Sequence, residues 1–518
     1  VISPGVRKWG TLAVACLAML LLAVDLTVLH LAMPKLVEDI RPSTEQFLWI
    51  ADVYGFALAG FLVTMGGVGD RIGRRKLLLI GSGVFGAASV LTAFAPNAEA
   101  LIGARALLGI AGATVMPSTL SLIRNVFTDP KERTAAIGLW SGIGIVGFGA
   151  GPLVGGALLT HFWWGSVFLL NVPVVVVIIA LGSALVPESR DPAPGRLDPA
   201  SVLLSVVGVI AIVYAVKEIA HQGFGHADVL IAVVLGIGGL AAFTSRQLRL
   251  PEPLIDVRLF RQRAFAATVG STLIAVFAML AMSLVVAQYL QLVAGWSPLR
   301  AGLAGLPGPA AAIAGALLTA PLIARFGRAG TIAAGMGLSA LGFLLYARIG
   351  TEVDYPFLVV AMVVFGAGLS MTLTVSTDTV LATVPKERAG AASAISETAN
   401  ELGGALGIAV LGSVLGAVYR DKLVLPPDLP EAAAGPIRES LGTAVGMAAE
   451  LPPALGVRVV DSARAAFLDA AHLTMYGSAA LLAGLGVSVL FTLRGVPKVI
   501  DEVSASAPPA EPRTGPRS

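Results

Sequence analysis

Five carboxylates interrupt apolar stretches of this chain: Asp25 in LAVDLTVLHLAMP (22–34), Asp52 in WIADVYGFALAG (49–60), Asp378 in MTLTVSTDTVLATV (371–384), and Glu397 and Glu401 in SAISETANELGG (393–404). An ionised carboxylate is costly in a hydrocarbon setting, so each must face a protein interior and bind a proton or meet a cation. Burial favours the protonated form and a cationic neighbour favours the ionised one, so proton and organic cation should exclude each other at one such group. That exclusion is the chemistry of an exchanger. Asp25, near the middle of its stretch, is the first candidate for it and Asp52 the second. Trp49 and Phe56 stand at −3 and +4 from Asp52, on the same helix face, where they would form an aromatic wall for a flat cation; Trp49 would equally serve as an interface anchor. Glu397 and Glu401 are four apart and share a face, where two charged acids would repel, so one is expected to stay protonated. Asp378 reads as a member of a local ion pair. Arg105, in LIGARALLGIAGA (101–113), is the one arginine expected inside a span and requires a partner there.

The elements that carry these groups are membrane helices. The chain has 518 residues, 56% hydrophobic and 13% charged, with 60 glycines and a mean hydropathy of +0.85. Apolar runs long enough to cross a hydrocarbon core of roughly 30 Å recur from end to end. They predict fourteen helices at 11–33, 47–66, 77–95, 98–123, 134–158, 166–186, 200–218, 227–246, 266–292, 301–323, 329–348, 357–382, 389–419 and 471–494. The first is too long for the core of a signal peptide. Cys16, the single cysteine, lies within it and reads as a packing residue.

The net charge of +3 is no nucleic-acid signal, because the basic residues gather on alternate loops, those holding Arg71 to Lys76, Arg124 to Arg133, Arg258 to Arg263, Arg325 and Arg328, and Lys386 and Arg388. By the positive-inside rule these loops and both termini are cytoplasmic. Lys217 falls in a short outer loop in this reading. The tetrapeptide PKER occurs at 130–133 and 385–388, and R-x-G-R at 71–74 and 325–328, so two loop signatures recur at offsets of 255 and 254. The chain is therefore duplicated. An all-α integral membrane architecture follows, with two pseudo-symmetric six-helix bundles and two inserted helices, and with substrate handled between the halves. The expected units are an N-terminal bundle (1–186), an inserted pair with its connectors (187–265), a C-terminal bundle (266–494) and a disordered tail (495–518). Connector 246–265 would suit a helix lying at the inner interface. Segment 420–470 reads as two short helices in a hairpin over the outer face, either a lid or a solvated linker.

Several motifs resemble those of one family. The loop GGVGDRIGRRK (66–76) is similar to the G-x-x-x-D-R-x-G-R-R signature of the major facilitator superfamily, through Gly66, Asp70, Arg71, Gly73, Arg74 and Arg75. The resemblance implies a charge latch for one conformation. Arg105, Gly109 and Gly112 resemble the family's helix-four R-x-x-x-G-x-x-G pattern, which implies a role for Arg105 in proton coupling. Helix five carries GIGIVGFGAGPLVGGAL (142–158), whose Gly151, Pro152, Gly155 and Gly156 resemble the antiporter motif of its drug:proton exporters. DLTVLHLAMP resembles the helix-one signature of the fourteen-helix drug:proton antiporters, with His30 where asparagine is usual. With FLLNVP (168–173) and IDVRLF (255–260) the likeness covers nearly the whole chain and is greatest to QacA/LfrA-like multidrug exporters.

The resemblance implies proton-coupled efflux of lipophilic cations such as ethidium, quaternary ammonium compounds and fluoroquinolones. It also implies a monomer in a bacterial inner membrane, no cofactor beyond the proton gradient, and no nucleic-acid partner. The family's acid in helix ten has no counterpart in LPGPAAAIAG (306–315), which bears on divalent cations. An importer would share the 66–76 loop but not the helix-five motif. A membrane enzyme would need clustered ligands or nucleophiles, and the five histidines show no metal spacing; no P-loop occurs either. An exporter of lipid or antibiotic on the same scaffold is the alternative. The 27 arginines against eight lysines point to a GC-rich bacterial gene.

Overall fold

The computed structural model describes residues 3–190, 197–222, 225–251, 253–385, 388–494 and 496. Lys386, Glu387, the side chains of His30 and Pro152, part of the 187–199 connector and the tail from 497 lie outside the described residues. The first half is α1 (Pro4–Ile40), α2 (Thr44–Ile72), α3 (Arg74–Ala93), α4 (Ala98–Val126), α5 (Pro130–His161), α6 (Ser166–Leu169) and α7 (Asn171–Leu185). An inserted pair follows, α8 (Pro199–Gln222) and α9 (Ala227–Arg249). The second half is α10 (Arg263–Gln288), α11 (Pro298–Ala304), α12 (Pro307–Tyr346), α13 (Tyr355–Ala382), α14 (Ala389–Lys422), α15 (Glu431–Glu439), α16 (Leu441–Ala448) and α17 (Pro453–Thr492). Among the described residues, thirteen stretches are long and apolar enough to span a membrane. One of them, Arg300–Tyr346, is 47 residues long and breaks at Gly327 (φ 76°), so it holds two of the fourteen expected spans.

Gly327 also supports the duplication. Its counterpart 254 positions earlier, Gly73, has φ 108°. Both glycines occupy the left-handed region, which a side chain disfavours, and each turns the chain between two helices at the same face. Ahead of α3, the Glu188 carboxylate accepts the backbone N–H groups of Arg75 and Lys76, satisfying donors that the helix start leaves open.

Three apolar clusters organise the interior. One is built by α1–α7 around Leu22, Phe85, Leu108 and Phe168; another by α10–α17 around Tyr289, Phe343, Phe365 and Phe467. A third joins the halves at the face carrying the 66–76 loop, the basic face, through Ile123, Phe127, Trp140, Phe265, Leu381 and Ala392. The inserted hairpin is tied at its base by Asp198, which accepts Ser201 at the start of α8 and two hydrogen bonds from Arg246 of α9. Those bonds from Arg246 and Ser201 hold the half-buried Asp198 carboxyl below its ordinary range.

Two expectations are corrected here. Segment 420–470 contains two short helices, α15 and α16, but the last membrane helix begins at Pro453 rather than 471. At 40 residues it is about 60 Å long, so its first turns stand beyond the bilayer. Ala433, Ile437, Leu441, Ala444, Leu455 and Val459 are buried together with the second half's core, so the segment is a packed cap and not a solvated linker. In connector 246–265 the only described helix between α9 and α10 is a single 3₁₀ turn, Val257–Arg261. Buried Leu254 and Ile255 anchor the connector to the cluster between the halves.

Candidate functional site

Asp25 lies in α1 and is fully buried. Asn171 Nδ2, at the start of α7, donates to Asp25 Oδ1 at 2.7 Å and is within 3.1 Å of Ser89 Oγ in α3. Among the described residues Asp25 Oδ2 has no hydrogen-bond partner, a half-satisfied carboxylate that a proton or a cation would complete. Arg105 of α4 lies within Coulombic reach of Asp25 and Asp52, yet it forms no ion pair with a described residue. Its Nε donates to the Ile50 carbonyl at 2.7 Å and its guanidinium lies 5.3 Å from the Tyr54 ring centroid and 6.0 Å from that of Phe168. The expected partner is thus aromatic faces and a carbonyl, with carboxylates one shell further out. Tyr54, buried with no hydrogen-bond partner for its hydroxyl among the described residues, lies within Coulombic reach of Asp25, Arg105 and Glu401. It is not among the residues that the sequence singles out.

Asp52 takes a different position. It lies on the face of α2 that meets the inserted helix α8, where Lys217 forms an ion pair with it. Trp49 stacks on Tyr214 of α8 at 6.4 Å, and Phe56 lies 6.0 Å from Trp49 and 6.1 Å from Tyr214. Trp49 and Phe56 thus share an aromatic cluster with a third ring contributed by α8. Lys217, counted with a short outer loop although it falls at the end of the expected 200–218 span, lies inside α8, which runs on to Gln222.

On α14, Glu397 is buried and accepts Asn400 Nδ2 at 2.9 Å. Glu401, one turn on, comes within Coulombic reach of Glu397 and of Lys217. The two acids are thus a second polar site in the other half, facing Tyr54 and α8.

The two halves meet at the basic face through two buried charge clusters. Asp70, at the end of α2, receives Arg74 at 2.7 Å together with the backbone N–H groups of Gly390 (3.0 Å) and Ala391 (3.1 Å) at the start of α14. A carboxylate across a helix N-terminus is favoured by both the open N–H groups and the helix dipole. Gly66 allows the approach, since a Cβ there would stand 2.7 Å from that of Ala394. Arg71 donates to the Gly67 carbonyl and Arg75 to that of Ser183, while Asp70 reaches α14 directly.

In the second cluster, Asp378 of α13 accepts Arg133 Nε from α5 at 2.9 Å and Arg328 Nη2 from α12 at 2.8 Å, with Thr134 beside it. The expected ion pair is present but spans the two halves. Arg105 is accordingly not alone: Arg124, Arg133 and Arg328 are each at most 2% exposed inside helices. Hydropathy put them in loops because only their helix ends are polar; the partner that permits their burial is 50 or more positions away.

The antiporter-type stretch lies along α5, which runs unbroken from Pro130 to His161 between the halves. Gly147 and Gly151 approach α1 at Ala23 and Thr27, on either side of Asp25, while Gly142 and Gly149 approach Ile313 and Pro309 of α12. Gly155 is buried, whereas no atom lies within 4 Å of where a Gly156 side chain would begin.

Comparison with known proteins agrees with this architecture. The Multidrug efflux pump LfrA of Mycolicibacterium smegmatis is 45% identical over 89% of this chain and 91% of its own length. The Methyl viologen resistance protein SmvA of Salmonella typhimurium is 35% identical over 94% and 98%. The crystal structure of the human organic anion transporter MFSD10 (TETRAN) superposes with a TM-score of 0.56 over 94% of this chain and 99% of that one, at 14% identity, a likeness of fold alone. The family model described as Major Facilitator Superfamily matches residues 15–408. The chain is a multi-pass membrane transporter, not an enzyme, and belongs to the Major Facilitator Superfamily.

Proposed function

We propose that the protein is a drug efflux antiporter that exports lipophilic organic cations in exchange for protons. The observation that carries this reading is Asp25, a carboxylate at the heart of a spanning helix with one oxygen bonded to Asn171 and the other without a partner among the described residues. Such a group is neutralised either by a proton or by a cation, and one ligand displaces the other. Glu397, Glu401 and Asp52 extend the set, Arg105 couples the charges of Asp25 and Asp52, and Trp49 and Phe56 offer ring faces to a flat cation. The near full-length likeness to a multidrug efflux pump and to a methyl viologen resistance protein supports drug export.

Alternating access follows from the two clusters at the basic face. With Asp70 on the start of α14 and Arg133 on Asp378, the halves are closed on that side; parting them opens the carboxylates to the other side of the cycle. The proposed setting is a bacterial inner membrane with both termini cytoplasmic, a monomer of an N-terminal bundle (1–186), inserted pair (187–265) and C-terminal bundle (266–494), without a cofactor.

The test is ethidium movement in proteoliposomes under an imposed proton gradient, for the unmodified protein and Asp25→Asn. Gradient-driven transport that Asp25→Asn abolishes, with insertion intact, is the expected result. Unchanged transport would move the exchange to the Glu397/Glu401 pair, and no ethidium transport by the unmodified protein would shift the cargo to lipids or neutral antibiotics.

A further inference from the structure

The inserted hairpin places an ammonium group where a cationic drug would bind. Lys217 Nζ pairs with Asp52 and lies 5.0 Å from the Phe56 ring centroid. Trp49 and Tyr214 stack beside it, and Glu401 of the other half is within its Coulombic reach. A carboxylate, ring faces and a cation at cation–π distance are what a lipophilic ammonium compound would need of a protein. Here the chain supplies its own cation.

A purely structural role explains this poorly. The inserted helix is already docked on α2 by Phe56, Ala59, Val209 and Val213 and by Ile210 against Gly60. Lys217 and Asp52 keep 29% and 27% of their side chains exposed, so the pair is only partly enclosed by the protein around it. The lysine stem is long and flexible, and the pair can part without moving either helix.

We propose that Lys217 is a tethered competitor at the Asp52 subsite and thereby a determinant of which cations bind. This rests on Asp52 as a cation-binding carboxylate in the reading above. A ligand cation enters only when the Lys217 ammonium leaves Asp52, and it then sits near that displaced positive charge. The tether gives the ammonium a high effective concentration, so every cation is weakened at this subsite. The penalty grows with ligand charge, because repulsion scales with the product of charges. A neutral ligand has no stake in the exchange.

The experiment is equilibrium binding to purified protein in nanodiscs without a gradient, using ethidium (one positive charge), methyl viologen (two, by displacement of ethidium) and the neutral dye Nile red. Lys217→Met is expected to tighten ethidium about five-fold, the order of an exposed ion pair's hold, and methyl viologen by more. Nile red should be unmoved, Lys217→Arg should match the unmodified protein, and Lys217→Met added to Asp52→Asn should give no gain. Lys217→Gln repeats the test should the methionine variant fold poorly. Cation affinity unchanged or weakened in a stably folded variant, or an equal shift for all three probes, would overturn the proposal. If the unmodified protein bound neither cation, the export reading itself would fall, and this inference with it.

Discussion

Arg133 donates to Asp378 across the two halves of the molecule, 245 positions apart in the chain, at 2.9 Å and with both side chains at most 2% exposed. Arg328 holds the same carboxylate from within the second half. Removing Asp378 leaves two buried guanidinium groups without their counter-charge. Asp378→Ala is therefore expected to cost about 3–5 kcal/mol of stability, read as a lowered thermal midpoint. Asp378→Ala combined with Arg133→Met should cost less than the two changes added together. Additive losses would show that the pair does not act as a unit.

Asp70 and the start of α14 should set the conformational balance. Asp70→Asn keeps the shape but loses the charge that faces two backbone N–H groups, a loss of about 0.5–2 kcal/mol. The population should move toward opening at the basic face, raising the labelling rate of a cysteine introduced at Ala394 by a few-fold. An unaltered rate would mean that the contact is incidental to closure.

The glycines of α5 divide by what they touch. A Cβ at Gly151 would stand 3.0 Å from that of Thr27, whereas one at Gly156 meets nothing within 4 Å. Gly151→Ala should cost about 1–3 kcal/mol and impair transport, since overpacking forces α1 and its Asp25 away. Gly156→Ala should stay within about 0.5 kcal/mol of the unmodified protein. Equal effects at the two positions would argue that the motif acts through α5 alone.

Asn171 orients the carboxylate proposed to exchange proton for cation. Asn171→Ala removes the hydrogen bond to Asp25 Oδ1 and should lower gradient-driven ethidium transport about ten-fold, the rate equivalent of one hydrogen bond. Restoration of activity by Asn171→Gln or Asn171→Ser, but not by Asn171→Leu, would attribute the loss to the donor and not to the cavity.

The outer pair of Asp428 and Arg458 offers a pH check on the cap. The hydrogen bond from Arg458 holds the Asp428 carboxyl below its ordinary value. A depressed carboxylate contributes stability above its unfolded pKa and loses it as pH falls through the folded one. Arg458→Ala should thus reduce the cap's resistance to proteolysis at neutral pH and make no difference once the medium is acid enough to protonate Asp428. A difference that persists in acid would assign Arg458 a role other than this pair.

The sequence by itself determined the membrane class, the fourteen spans, the duplication and the motif loops. These are local or periodic properties: a run of apolar residues must leave water whatever it packs against, and R-x-G-R repeated at a fixed offset needs no coordinates to be seen. It also named Asp25, Glu397 and Glu401, because a carboxylate in an apolar run is conspicuous without its partner.

Only the tertiary structure decided the partners. That Asp52 meets Lys217, that Asp378 is shared by Arg133 and Arg328, and that Arg105 lies on aromatic rings depend on which helices pass within a few ångströms of one another. Burial of a charge is a property of such pairs, and the pairs lie 50 to 245 positions apart, beyond the reach of any window of sequence. The last helix's early start at Pro453 has the same cause: its first turns are too polar to signal a span, and the core of α15 and α16 holds them.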